Sequence, residues 1–293
     1  MKLDELIEDV TVRLLKLTVT SLPKDVKEAI SEAAKSEEGI AKKQLEAILR
    51  NVEISERRGL PMCQDTGLIT FYVEMGTEFP KIPLKEVLIR ATREATREVP
   101  LRPNAVDVWS GINSGDNVGE GIPHISWELV EGSKLRLTVV PKGGGSEYPA
   151  KLFIFPGRAR REDLLSSVLT AITEAGGKPC PPTVVGVGVG GTTDLSMQLA
   201  KKAAVLRPIG SRSSHPEARE LEDELKRLAN ELGIGPMGLG GKTTVLDVHI
   251  EFAHRHPAFT PVAVVFSCWA LRRATAEISQ DGTVKYLSHE VSS

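Results

Sequence analysis

The hexapeptide Met62-Cys63-Gln64-Asp65-Thr66-Gly67 constrains this chain more than any other stretch. It lies between a charged, helix-like segment (Leu45 to Arg58) and a strand-like run, Leu68 to Val73, in a turn that Pro61 opens and Gly67 closes. Gln and Asp are costly to bury without partners, so the segment reads as a loop presenting a thiol, an amide, a carboxylate and a hydroxyl to a site. The other two cysteines, Cys180 and Cys268, also border apolar runs. The working expectation is that the three cysteines converge on one centre.

A chain of 293 residues buries a sizeable core, in one large domain or two smaller ones. Its formal charge of -2 argues against a general nucleic-acid binder, whose footprint is a basic excess. The N-terminus carries acids early and lacks the apolar core of a signal peptide. No apolar run approaches the roughly 20 residues needed to cross a bilayer. A cytoplasmic protein without membrane or nucleic-acid partners is the default expectation. Three widely spaced cysteines do not suggest a disulfide framework. The plainest alternative is three buried thiols acting as small hydrophobes.

Residues 1 to 58 read as three helices. Leu3, Leu6, Ile7, Val10, Leu14 and Leu15 recur at helical spacing, Pro23 punctuates the next start, and a third helix spans about 40 to 56. After the Cys63 loop the pattern gives a strand and then a helix over Leu84 to Glu98. A polar, glycine-rich stretch follows through residues 111–124, too long to be a plain connector. Residues 125–130 and 134–140 read as a hairpin-like strand pair. A short strand covers Leu152 to Phe155, and a helix from Asp163 ends at Gly176-Gly177. The second half offers strands at Thr183 to Val189, Val245 to Phe252 and Pro261 to Phe266, with helices at 195–204 and 217–232. His254-Arg255-His256-Pro257 reads as a turn, and the last strand delivers Cys268. The expected fold class is α/β: an N-terminal helical layer plus mixed β-sheets flanked by helices, with the cysteine centre held on loops. No repeat or linker divides residues 1–293, which read as one domain or as two lobes too intimate to separate by sequence.

Two stretches imitate nucleotide-binding loops. Gly186, Gly188 and Gly191 fit G-x-G-x-x-G, but no acid stands about 20 residues on, where the ribose partner belongs. In Gly235 to Thr243, Pro236 occupies the place of the first Walker A glycine and removes a backbone donor. Lys242 and Thr243 are open between structural and substrate-binding roles. Zinc held by the cysteines and a histidine lacks the short ligand spacings of such sites, and a Cys-His hydrolase reading finds nothing that selects its nucleophile. The remaining reading is an iron–sulfur cluster on three thiolates. One iron would then lack a protein ligand and be open to a substrate oxygen.

At this point the motifs resemble a family. Met62-Cys-Gln-Asp-Thr-Gly, Leu101-Arg-Pro-Asn-Ala-Val-Asp, Gly115-Asp-Asn, Pro141-Lys-Gly-Gly-Gly-Ser-Glu, Lys178-Pro-Cys-Pro-Pro, Gly238-Leu-Gly-Gly-Lys-Thr-Thr and His254-Arg-His-Pro-Ala look like those of the class I, iron–sulfur fumarate hydratases and L-tartrate dehydratases. The resemblance covers about residues 5 to 280.

The resemblance implies that Cys63, Cys180 and Cys268 ligate a 4Fe-4S cluster with one iron lacking a protein ligand. It implies that Asp65, paired with His256, handles the proton on the substrate hydroxyl. Gln64 lies beside the open iron, Arg102 clamps a carboxylate, and Gly144 contacts substrate through its backbone. A guanidinium binds carboxylate bidentately, and a histidine beside an acid relays protons near neutral pH, so the side-chain chemistry suits these roles. Single-chain members carry a further C-terminal domain that supplies the base. Here the chain ends soon after Cys268, at Val291-Ser292-Ser293, so it resembles the α subunit of the two-subunit form. The expected partner is a separate β subunit in an α2β2 assembly, and the expected reaction is reversible hydration of fumarate to (S)-malate. The alternatives are an L-tartrate dehydratase α subunit or, in another class, a non-enzymatic cluster-binding electron carrier or redox sensor.

Overall fold

The computed structural model describes residues 2–289; Met1 and residues 290–293, where the expected subunit terminus Val291-Ser292-Ser293 falls, lie outside the described residues. In chain order the elements begin with α1 (Leu3–Thr20), α2 (Lys24–Ser36), α3 (Gly39–Arg58), β1 (Leu68–Gly76) and α4 (Leu84–Glu98). Next come β2 (His124–Val130), β3 (Lys134–Lys142), α5 (Gly144–Glu147), β4 (Lys151–Pro156), α6 (Arg161–Ala175) and β5 (Thr183–Gly191). The chain continues through α7 (Thr193–Leu206), α8 (Pro216–Glu231), β6 (Val245–Arg255), β7 (Phe259–Ser267), β8 (Ala274–Ser279) and β9 (Val284–Tyr286). It divides into two compact units, one of Met1–Lys24, Asn51–Gly144 and Arg272–Ser293, the other of Asp25–Arg50 and Gly145–Leu271.

The first unit is built on a five-stranded sheet in the order β2-β1-β3-β8-β9. Ile7, Val10, Leu14 and Leu15 of α1 and Leu84, Val87 and Leu88 of α4 recur at three- and four-residue spacing, so each helix has one apolar stripe. Those stripes pack with Phe71, Val73, Leu135, Leu137 and Ala276 of the sheet into one core. The expected hairpin of residues 125–130 and 134–140 does not form. Instead β1 lies between them, parallel to β2 and antiparallel to β3. Gly76 at the end of β1 leaves room for this arrangement: the 131–133 turn crosses over it, and a Cβ there would run into the carbonyl oxygen of Gly132.

The second unit carries a four-stranded sheet in the order β4-β7-β5-β6. β5 runs parallel to β6 and antiparallel to β7. One face is covered by α6 and α8, whose Val168, Ile172, Leu221 and Leu225 meet Val185, Val187, Val248 and Val264. The other face receives α7 at Gly186 and Gly188, where a Cβ would collide with the carbonyl oxygens of Ala200 and Ser196. These glycines of the apparent dinucleotide fingerprint therefore serve close helix-on-strand packing. The strand read as ending at Phe252 continues to Arg255, which pairs with Gly191, so His254 and Arg255 are strand residues and the turn begins at His256.

Candidate functional site

In the first unit the Cys63 loop is pinned at its entrance. The Met62 N–H donates to Val19 O at 3.0 Å, and Asn51 Nδ2 donates to Met62 O at 2.7 Å. Cys63 follows, half-buried and outside any disulfide. The Asp65 carboxylate is aimed by two main-chain donors: Gly67 N–H to Oδ1 at 2.9 Å and Gly144 N–H to Oδ2 at 2.9 Å. A Cβ on Gly143 would stand 2.7 Å from Asp65 Oδ2, so the glycine triplet leaves room for that carboxylate. Gly144, expected to offer its backbone to a substrate, here gives its N–H to Asp65.

Arg102 is held through its main chain while its side chain stays exposed. Its N–H donates to Thr66 Oγ1 at 3.0 Å, and Asn117 Nδ2 donates to its carbonyl at 3.1 Å. Asn104 Nδ2 bridges Thr66 Oγ1 and Gly67 O, each at 3.2 Å. Asn104 N–H in turn donates to Asn117 Oδ1 at 2.7 Å. From this clasp the guanidinium Nη1 lies 3.4 Å from Gln64 O, a long hydrogen bond. A guanidinium fixed at its root and open at its tip suits a carboxylate from outside.

Sequence motifs alone assign no role to Thr66, Asn104, Asn117 or Arg272. The first three lie in the polar runs at residues 62–67, 101–107 and 115–117, where polar crowding is the available signal. Arg272 is buried and donates from Nη1 to Asp65 O at 2.9 Å. Nothing local to the sequence marks that contact.

In the second unit, Cys180 and Cys268 sit at the same end of the sheet. Cys180 precedes β5, Cys268 follows β7, and Val184 pairs with Ser267 between them. Trp269 N–H donates to Cys180 O at 3.1 Å, tying the two loops together. Cys180 has a positive φ of 54°, and the Cys268 thiol points at Ala270 O at 3.6 Å.

His256 lies at the opposite end. It follows Arg255, which pairs with Gly191 at the far end of the nine-residue β5. At ~3.3 Å per residue, that places it about 25 Å from Cys180 and Cys268. Locally its Nδ1 accepts from Ala258 N–H at 3.1 Å, and its ring stacks on Phe259 with centroids 5.8 Å apart. With Nδ1 accepting, the neutral ring carries its proton on Nε2. Lys242 Nζ donates to Ser36 O at 3.2 Å, and Thr243 N–H to Glu37 Oε1 at 2.5 Å. Both contacts belong to the packing of the loop after α8 on the α2–α3 turn.

The same unit contains a buried polar knot. Asp247 lies 3.3 Å from His249 Nε2 and 3.1 Å from Arg212 Nη1, and Gly210 N–H donates to it at 2.7 Å. Burial alone would push its pKa up, but the His249 ring 3.3 Å away, the Gly210 N–H and the charge of Lys226 outweigh it, holding the carboxyl well below the usual range.

The donor chemistry fits an iron–sulfur cluster: three half-buried thiols on loops, none of them in a disulfide. Among the described residues no group of three or more His, Cys, Asp or Glu side chains is placed to hold a single metal ion. Thiolates that each bind a different iron need not crowd round one point, as the ligands of a mononuclear zinc do. Among the described residues, no helix is long and apolar enough to cross a membrane.

The sequence model for fumarate hydratase (Fumerase) matches residues 8–277. A Methanocaldococcus jannaschii protein, provisionally named as an L(+)-tartrate dehydratase α subunit, is 42% identical over 281 residues, covering 94% of this chain and 98% of its own. An Escherichia coli L(+)-tartrate dehydratase subunit alpha is 37% identical over 291 residues, covering 98% and 94%. The same subunit of Shigella sonnei is 36% identical over 291 residues, with the same coverage. Near-complete coverage in both directions, with a family match across both units, makes this chain a member of the fumarate hydratase (Fumerase) family of hydro-lyases, on the side of its α-type subunits.

Proposed function

We propose that this chain is the cluster-holding subunit of a hydro-lyase that reversibly hydrates fumarate to (S)-malate together with a separately encoded β subunit. The observation that carries the reading is the Asp65 carboxylate, two residues after Cys63 and aimed by the N–H groups of Gly67 and Gly144. Cys63, Cys180 and Cys268 would hold a 4Fe-4S cluster with one iron lacking a protein ligand. That group, when bound, supplies a Lewis acid for the substrate hydroxyl. The chain's own residues do the rest. Arg102 presents its guanidinium to a substrate carboxylate. Gln64 orients the same end of the substrate through its amide. Asp65 exchanges the proton at the substrate hydroxyl oxygen, its own orientation kept by Gly144.

His256 is the proton relay partner in this reading. Because it stands at the far end of the second unit's sheet from Cys180 and Cys268, the reading assigns it to the centre of a second copy of the chain. The reading therefore calls for an α2β2 assembly. The C3 proton is left to the β subunit.

The second reading is L-tartrate dehydration, favoured by the names of the Escherichia coli and Shigella sonnei relatives. The two substrates differ by one hydroxyl. Anaerobic reconstitution of α with β, followed by kcat/KM for (S)-malate and for L-tartrate, decides between them. A higher value for malate supports the fumarate reading and a higher value for tartrate overturns it. Turnover of neither by a cluster-loaded complex removes both.

A further inference from the structure

Residues 103–117 form a loop without a helix or a long strand, yet it is closely tied. Asp107 Oδ1 accepts from Trp109 N–H at 3.1 Å, from Ser110 N–H at 2.7 Å and from Ser110 Oγ at 2.7 Å. Asp107 N–H donates to Ile112 O, Gly111 N–H to Asp107 O and Ser114 N–H to Ala105 O, each at 2.9 Å. Val106 and Asn113 form a β-bridge, and Asn113 Nδ2 donates to Pro103 O at 2.8 Å. Every one of these bonds is polar. The apolar side chains face outward: Trp109 is 94% exposed, Val108 87%, Ile112 69% and Val106 52%.

Single exposed apolar residues are ordinary, but four within residues 106–112 make a contiguous patch. A tip ordered by its own hydrogen bonds loses little further entropy when a partner covers it. A protruding tryptophan at its apex is the residue type that most often dominates an interface.

We propose that this tip docks the β subunit, with Trp109 and Val108 entering an apolar recess on that partner. The inference rests on the reading that a separately encoded subunit completes the centre. Continuity with the site and the subunit-alpha names of the relatives are the grounds for this occupant, and a second copy of the chain is the competing occupant that the test separates. The root of the loop is Arg102 and Asn104, bonded to Thr66 and Gly67. A body seated on the tip therefore borders the residues assigned to the substrate. The Escherichia coli relative, matched over nearly its whole length, is named as one subunit of a larger enzyme.

The test uses the purified full-length chain and its purified β subunit, mixed anaerobically, with association read by sedimentation or calorimetry. Trp109→Ala combined with Val108→Ser weakens α–β association roughly 30-fold or more. It leaves the melting temperature, iron content and self-association of the chain unchanged. Leu129→Ser, at an exposed leucine on β2, serves as the control and leaves the α–β affinity as in wild type. Wild-type affinity in the double variant overturns the proposal. So does a double variant that keeps its β affinity but loses self-association, because the tip then belongs to a second copy. A wild-type chain that fails to bind β overturns the two-subunit reading, and the docking falls with it.

Discussion

Arg272 Nη1 donates to the main-chain oxygen of Asp65 at 2.9 Å. The guanidinium is buried, and its Nε has no hydrogen-bond partner among the described residues. A buried charge facing a peptide oxygen holds the backbone of the Cys63 loop, while the Asp65 carboxylate is held separately by the N–H groups of Gly67 and Gly144. Arg272→Ala leaves that carbonyl without its donor and is expected to destabilise the first unit by about 1–3 kcal/mol. Displacing Asp65 by a fraction of an ångström is expected to lower kcat/KM roughly 10- to 100-fold. Arg272→Lys should recover most of the stability and little of the rate. Wild-type kcat/KM in Arg272→Ala would show that the contact does not position Asp65.

The cysteine assignment makes a prediction independent of turnover. The chain purified anaerobically with its β subunit should carry about four iron and four sulfide per α chain, with broad visible absorbance. Cys63→Ser, Cys180→Ser and Cys268→Ser should each lose most of the iron and the colour. A variant that keeps both would remove its cysteine from the ligand set. Retention by all three would return the thiols to the core.

The helices of the first unit are legible because their apolar residues recur at helical spacing; the helix over Leu84–Glu98 matches its expected bounds. The strand order was not. A three-residue link between two apolar runs looks like a hairpin, and nothing local shows that β1 inserts between them beneath a turn for which the bare Cα of Gly76 leaves room. β8 and β9, beyond Cys268, are short and partly charged, and only the pairing of β8 with β3 and of β9 with β8 reveals them. In the site, the Cys63 loop and Arg102 could be found from local motifs. Arg272 could not, because its partner lies 207 residues away. The place of His256 depends on which strands run parallel, which no local pattern states.

Gly188 separates the packing role of the glycine fingerprint from a nucleotide-binding one. Gly188→Ala drives a methyl group into the Ser196 carbonyl of α7, and the helix has to move away from the sheet. We expect a loss of about 1–3 kcal/mol or more in denaturant unfolding. Titration of wild-type protein with NAD should give no binding heat. Saturable NAD binding that Gly188→Ala abolishes without loss of stability would reverse the assignment.

Asp247 predicts an acid-sensitive contribution to stability. Its folded-state pKa is depressed, so its contribution is complete above the unfolded carboxyl value of about 3.9 and fades as pH falls below that toward the folded one. Asp247→Asn should therefore cost about 3–5 kcal/mol at neutral pH, as expected for removing one partner of a buried charge network. The gap between variant and wild type should narrow below about pH 4. A gap that stays constant from neutral pH down to that range would mean that the loss is steric rather than ionic.

The position of His256 yields a test that separates one chain from two. Within the second unit it stands at the far end of β5 from Cys180 and Cys268. If it relays a proton at the centre those cysteines hold, it does so from another copy. Asp65→Asn and His256→Ala chains, each assembled with β, should then both be nearly inactive. Assembled together, they should recover activity, because one site of each mixed dimer pairs an intact Asp65 with an intact His256 from the other chain. With random assortment, half of the dimers are mixed and one site in each is whole, so about a quarter of wild-type activity returns. Full activity of His256→Ala alone would remove the histidine from the reaction. If both variants are inactive and the mixture recovers nothing, the histidine does not cross between copies, and its role has to be sought in the turn it closes with Ala258.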